Sequence, residues 1–184
     1  MSLELDVLRD VAAKLDQAGI DWMLTGSLAM MHYAQPRMTR NIDLVVSLTP
    51  AQAETIQRLF EAEYYVPQDT VRLAITRRSM FNLIHQASVI KVDLIVLKHT
   101  EFDQLRFAQR QRIRFVDCEV WIINREDLIL SKLAWAKDSG SEMQIRDVRN
   151  LIATASAGDF DEVYLNEWIA RLELTAIWQE CLKP

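Results

Sequence analysis

Glycine and proline are scarce in this 184-residue chain, with 4 of each. So few chain breakers mean regular elements joined by short connections, and they exclude collagen-like or low-complexity architectures. Cysteine is scarcer still. Cys118 and Cys181 stand far apart and in no paired motif, which excludes a disulfide framework and a cysteine zinc site. They read as buried or incidental thiols. No apolar run approaches the ~20 residues of a membrane-spanning helix. The first residues, MSLELDVLRDVAAKLDQAG, are charged and amphipathic, unlike a signal peptide. The expectation is a cytoplasmic protein with no membrane association. An excess of positive charge is also missing: the formal net charge is −5. That balance argues against general duplex DNA binding, which needs many cations facing phosphates.

What is present is an ordinary globular composition, 50% hydrophobic and 26% charged, with room for one domain or a domain plus a small extension. Leu3, Leu5, Val7, Leu8, Val11, Ala12 and Leu15 recur at helical spacing, and Gly19 stands where that helix should stop. Asp21 to Thr25 is short enough for a strand. Gly26-Ser27 and the apolar segment Leu28 to Tyr33 then read as a tight turn and a helix, ended by Pro36. Ile42 to Ser47 is a strand by its β-branched content. Thr49 caps and Pro50 opens a helix through Glu63. Strands follow at Met80 to Ile84 and Val89 to Leu97, then a pair at Arg112 to Phe115 and Glu119 to Ile123, with Asp117-Cys118 near the turn. Beyond Asn124 the pattern is helical: Glu126 to Lys137, Gln144 to Ala155, Asp161 to Leu172 and a short tail near Ile177. The chain therefore reads as a mixed α/β unit over about two-thirds of its length, then a helical part.

Chemistry concentrates in three places. In TRNIDLVV, alternate residues share a face. Ile42, Leu44 and Val46 form an apolar row for the core. Asn41 and Asp43 face the other way, about 7 Å apart at Cα by strand rise. An Asp beside a second oxygen ligand suits a hard divalent cation such as magnesium. In IKVDLIVL, Asp93 interrupts an apolar strand, where an ionised carboxylate needs a partner or a task. If its strand runs beside Asn41–Asp43, it completes a three-oxygen cluster; otherwise a salt bridge with Lys91 or Arg114 accounts for it. In Leu24-Thr25-Gly26-Ser27, glycine permits close backbone approach. The helix that follows offers free N–H groups to a phosphate.

The ordered set Gly26-Ser27, Asn41-Ile42-Asp43 and Val92-Asp93-Leu94 resembles the nucleotidyltransferase superfamily of polymerase-β type. Arg37-Met38-Thr39-Arg40 is similar to the lead-in of its minimal bacterial branch, which includes abortive-infection and toxin–antitoxin members. So are Glu126-Asp127-Leu128-Ile129-Leu130-Ser131-Lys132-Leu133 and Arg146-Asp147-Val148. The likeness spans roughly residues 20 to 152. It implies an α+β nucleotidyltransferase fold with a mixed sheet. Residues 1–123 would form the core, and residues 124–184 a helical extension packed on it as one unit. It further implies a Mg2+-dependent enzyme that moves a nucleoside monophosphate from a nucleoside triphosphate to a protein or RNA hydroxyl. Asn41, Asp43 and Asp93 would hold two magnesium ions, Asp43 and Asp93 being catalytic. Gly26, Ser27, Thr39 and Lys132 would bind the nucleotide, with Arg37 and Asp147 as auxiliaries. One departure stands out. The family's first Asp is Asn41 here, which removes a charge and a bridging mode. The alternative is an impaired nucleotide-binding or partner-binding module of a toxin–antitoxin or defence pair, its partner a small helical protein.

The bland readings sit beside these. Ser27 is also an ordinary helix cap, Lys132 a solvated helix face, and Asp147 the partner of a neighbouring Arg. Residues 106–114, RFAQRQRIR, read as a solvated basic face. His32, His85 and His99 lack ligand spacing. Were Asp93 to lie far from Asp43, both functional readings would fall.

Overall fold

The first strands form where branched and aromatic residues crowd together, and they assemble into one mixed sheet. The computed structural model describes residues 3–35, 39, 41–156 and 161–183. Seven strands occur among them: β1 (Trp22–Thr25), β2 (Asn41–Val46), β3 (Tyr64–Tyr65), β4 (Met80–His85), β5 (Lys91–Val96), β6 (Gln111–Phe115) and β7 (Cys118–Ile122). Their order is β3-β4-β5-β2-β1-β7-β6. β2 runs parallel to β5 and antiparallel to β1, while β1 runs parallel to β7. The expectation of an α+β fold with a mixed sheet therefore holds.

The chain divides into two compact units. The first comprises Met1–Leu28 and Met38–Ile123, the second Ala29–Arg37 and Asn124–Pro184. In the first unit, α1 (Leu3–Gln17) buries Leu5, Val7, Leu8, Val11, Ala12 and Leu15. Gly19 follows at φ +63, and the Ile20 N–H returns to the Leu15 carbonyl, a left-handed helix stop. The central strands are apolar on both faces. Val45 is as buried as its neighbours Leu44 and Val46, so the expected alternation in β2 survives only at Asn41 and Asp43.

Four local differences have plain causes. The helix after β1, α2 (Gly26–Tyr33), begins at Gly26 itself, with no separate turn. The segment after Thr49 opens with a 3-10 turn, Pro50–Gln52, before α3 (Ala53–Phe60). There the Gln52 side chain accepts a hydrogen bond from the Thr49 N–H at 2.9 Å. Two unexpected helices, α4 (Gln68–Arg77) and α5 (Glu101–Ala108), cover apolar residues Val71, Ala74 and Ile75, and Phe102 and Phe107. Part of the basic run 106–114 thus belongs to α5 and part to β6. Pro36 and its helix-ending role lie outside the described residues.

The second unit is helical. It holds α6 (Arg125–Ser139), α7 (Glu142–Ala153), α8 (Glu162–Arg171) and α9 (Thr175–Cys181). Asn124 caps α6 by accepting from the Asp127 N–H at 2.7 Å, and Gly140 ends it in the left-handed conformation. Trp168 is buried, whereas Trp135 is exposed.

Candidate functional site

Pairing register builds a polar row across four neighbouring strands of the first unit. Thr25 on β1 lies opposite Asp43 on β2, Asp43 opposite Asp93 on β5, and Asp93 opposite Asn82 on β4. Directly opposed residues project to the same side of a sheet. These four polar side chains therefore share one face while the strands around them are apolar. Two carboxylates side by side repel, so such a pair needs compensation.

Compensation is visible at Asp93, which is 6% exposed. The Asn82 amide donates to its Oδ1. The Lys91 ammonium lies 3.0 Å from Oδ1 and 3.2 Å from Oδ2. Lys91 and Asp93 stand two apart on β5 and so share its face. The salt-bridge expectation with Lys91 and the neighbourhood of Asp43 are both realised; Arg114 is not the partner. Lys91 itself lies opposite Asn41, at the next position along the same two strands. Asn41 is exposed. Its backbone is tied to Thr39, whose hydroxyl donates to the Asn41 carbonyl at 3.3 Å.

Gly26 is the tightest feature of the site. Its φ is +66, a conformation natural to glycine. A Cβ placed there would stand 2.1 Å from Asp43 Oδ2 and 2.7 Å from its carboxyl carbon. The start of α2 is thus laid directly over the Asp43 carboxylate, with Ser27 as the second helical residue. No side chain other than hydrogen fits between them.

Lys132 and Asp147 belong to the second unit. They are 4% and 3% exposed. Lys132 Nζ donates to Asp147 Oδ2 at 2.6 Å and to Gln144 Oε1 at 3.2 Å. Neither bland expectation describes them: Lys132 is not solvated, and Asp147 pairs with this lysine. Arg37 lies outside the described residues. Among those residues no three His, Cys, Asp or Glu side chains gather into a group able to hold a metal ion. Sequence reasoning passed over Thr25 and Asn82. The signal for Asn82 was available, a lone amide inside the apolar strand Met-Phe-Asn-Leu-Ile.

A mixed sheet carrying paired carboxylates, with a Gly-Ser helix start laid on one of them, has the architecture of the nucleotidyltransferase fold. Residues 7–102 match the family model described as aminoglycoside-2''-adenylyltransferase, and the chain belongs to that family. No curated protein matches the sequence. Solved structures share the fold. An antigenic nucleotidyltransferase-like protein from Paracoccidioides brasiliensis has a TM-score of 0.57 at 18% identity, over 97% of this chain and 93% of that one. The antibiotic-resistance enzyme ANT(2'')-Ia, solved with adenylyl-2''-tobramycin, has a TM-score of 0.62 at 10% identity, over 95% and 99%. The lincosamide adenylyltransferase LnuA, solved with lincomycin, has a TM-score of 0.55 at 17% identity, over 84% and 98%.

Proposed function

We propose that the protein is a metal-dependent nucleotidyltransferase that moves a nucleoside monophosphate from a nucleoside triphosphate to an acceptor hydroxyl. The observation that carries this reading is the in-register pair Asp43 and Asp93, with the glycine start of α2 laid against Asp43. The donor set, two carboxylates and the Asn41 amide oxygen, fits a hard divalent cation such as Mg2+. It fits one such ion better than two, because Asn41 cannot bridge as a carboxylate does. The ion, when bound, supplies charge neutralisation for the triphosphate and for the attacking oxygen.

The residues divide the remaining work. Gly26 and Ser27 offer the backbone N–H groups of a helix start to the phosphates. Thr39, whose hydroxyl is bonded to the Asn41 backbone at the entry to β2, adds a further contact to the nucleotide. The acceptor oxygen bonds to the α-phosphorus, the bond to the bridging oxygen breaks, and pyrophosphate leaves. The hydroxyl proton goes to Asp93 Oδ2, whose contact in the resting site is Lys91. Lys132 and Asp147 satisfy one another, and the transfer draws on neither.

Family membership favours a small polyhydroxylated acceptor over the protein or RNA hydroxyl that the bacterial-branch resemblance implies. The net charge of −5 supports the same choice: an acidic protein suits a cationic amine-bearing acceptor and repels RNA. Purified protein would be incubated with each nucleoside triphosphate, Mg2+ and a panel of aminoglycosides. Mass spectrometry should find an acceptor heavier by one nucleoside monophosphate. A full panel without product, while protein or RNA becomes labelled, would return the acceptor to the macromolecular class.

Asn41 specifically favours a second reading, an impaired module that binds nucleotide or a small helical partner in a toxin–antitoxin or defence pair. It predicts nucleotide binding without turnover, and partner binding unchanged by Asp43→Ala.

A further inference from the structure

We propose that Asn82 is a positioning residue for Asp93: its side-chain amide holds Oδ1 and so makes Oδ2 the oxygen that Asp93 presents to an ion or a hydroxyl. The proposal rests on the reading of Asp93 given above and goes beyond it in naming what orients that carboxylate.

A buried carboxylate needs hydrogen-bond partners, and Asp93 is 6% exposed. Among the described residues, two side chains reach it, and they act differently. The Lys91 ammonium stands 3.0 Å from Oδ1 and 3.2 Å from Oδ2. Its side chain is 38% exposed. A point charge on a long flexible stem does not distinguish the two oxygens. The Asn82 amide, in contrast, reaches Oδ1 alone. A carboxylate oxygen accepts, so the amide must turn its nitrogen toward it. Asn82 lies inside the sheet, with β4 paired to β3 on one side and to β5 on the other. Its neighbours Phe81 and Leu83, which point to the opposite face, are fully buried and anchor the strand. Only two side-chain torsions separate the amide from that fixed backbone. Asn82 also lies opposite Asp93 in the β4–β5 register, so the contact follows from strand pairing. With one oxygen held, the carboxylate plane is set and the other oxygen has a defined direction. Hydrogen bonds of this kind are what orient ligating carboxylates. An amide in the apolar strand Met-Phe-Asn-Leu-Ile thereby acquires a task.

The test uses the intact protein and two readouts. First, Mg2+ is titrated calorimetrically in the presence of each nucleoside triphosphate, into the wild type, Asn82→Leu and Asn82→Gln. Far-UV circular dichroism checks folding. Leu is close in size and has no donor; Gln keeps the donor on a longer stem. Asn82→Leu should raise the half-saturating Mg2+ concentration roughly 10- to 100-fold, and Asn82→Gln should fall between it and the wild type. A merely structural role would lower the fraction of protein that binds and leave that concentration unmoved. Second, the side-chain amide of Asn82 is followed by nitrogen-15 magnetic resonance and assigned by its absence from Asn82→Leu. It should stay displaced from the position of a solvated asparagine when Mg2+ and nucleotide are added. Asn82→Leu at the wild-type Mg2+ concentration, or an amide that moves to the solvated position on loading, would overturn the role of Asn82 and leave the metal-site reading standing. No metal-dependent nucleotide binding to the wild type would overturn both. Should Asn82→Leu fail to fold, Asn82→Gln and the wild-type amide signal, assigned by its shift in Asp93→Asn, decide.

Discussion

The Asp43–Asp93 row and the Lys132–Asp147 knot place charge inside the protein in opposite ways. In the second unit one cation meets one anion, a neutral amide from Gln144 adds a further contact, and all three side chains are buried. In the first unit two anions lie side by side, and a half-exposed lysine pairs with one of them, Asp93. The Lys132–Asp147 pair contributes to the packing of the second unit. A carboxylate pair set at a helix start is the arrangement that the proposed function would use for a cation and a phosphate. This contrast separates the two sets of charged residues that one resemblance had grouped together.

Breaking the knot should produce the largest stability effect. Asp147→Ala strands a buried ammonium and should cost about 3–5 kcal/mol, read as a lowered urea midpoint. The double change Lys132→Met with Asp147→Leu should recover most of that loss. A single mutant that melts with the wild type would show that the pair is hydrated and not sealed.

Gly26→Ala tests the row from its roof. The added methyl meets the Asp43 carboxylate, and the backbone stays at φ +66. Strain there costs about 1 kcal/mol before any clash, and Asp43 must move aside. Reduced thermal stability together with lost Mn2+ binding is expected. Unchanged ion binding would mean that the position of Asp43 is not what holds the ion.

Asn41→Asp sharpens the contrast by deepening the charge deficit. In the presence of nucleotide it should raise Mg2+ affinity roughly tenfold, seen as a lower half-saturating ion concentration. The same change should leave the urea midpoint within about 0.5 kcal/mol, as befits an exposed site. A drop in affinity would mean that the amide is the better ligand here.

The smallest effect lies away from both clusters. Val116, exposed in the β6–β7 turn, has φ +57, which a β-branched residue disfavours. Val116→Gly should stabilise the protein by about 0.5–1 kcal/mol with ion binding untouched. Destabilisation would indicate that the valine side chain makes a compensating contact.

Much of this was legible in the sequence, and the limits were physical. The β2 strand declared itself by alternation at Asn41, Ile42, Asp43 and Leu44. Asp93 declared itself as a carboxylate in an apolar run, while its salt-bridge partner stayed open between Lys91 and Arg114 until the structure showed Lys91. The parallel register that sets Asp43 against Asp93 is a long-range fact that local pattern suggests only through the family motif. Helix α4 ends at Arg78 in a left-handed conformation, without the glycine or proline that announces a stop. Helix α5 carried its signal in Thr100, which accepts from the Asp103 N–H at 3.1 Å, but its arginines drew the segment toward a surface reading. Strand β3 has two residues, too few for any period. Burial of Lys132 was hidden because its partners, Gln144 and Asp147, come from the next helix.

The most direct test of the central claim is calorimetric titration of the protein with Mg2+ and each nucleoside triphosphate, beside Asp43→Ala. Metal-dependent binding of a nucleotide to the wild type is expected, with its loss in a mutant that still folds. Binding that persists in Asp43→Ala, or no binding to the wild type at millimolar ligand, would contradict the assignment of Asp43 and Asp93 as the working site.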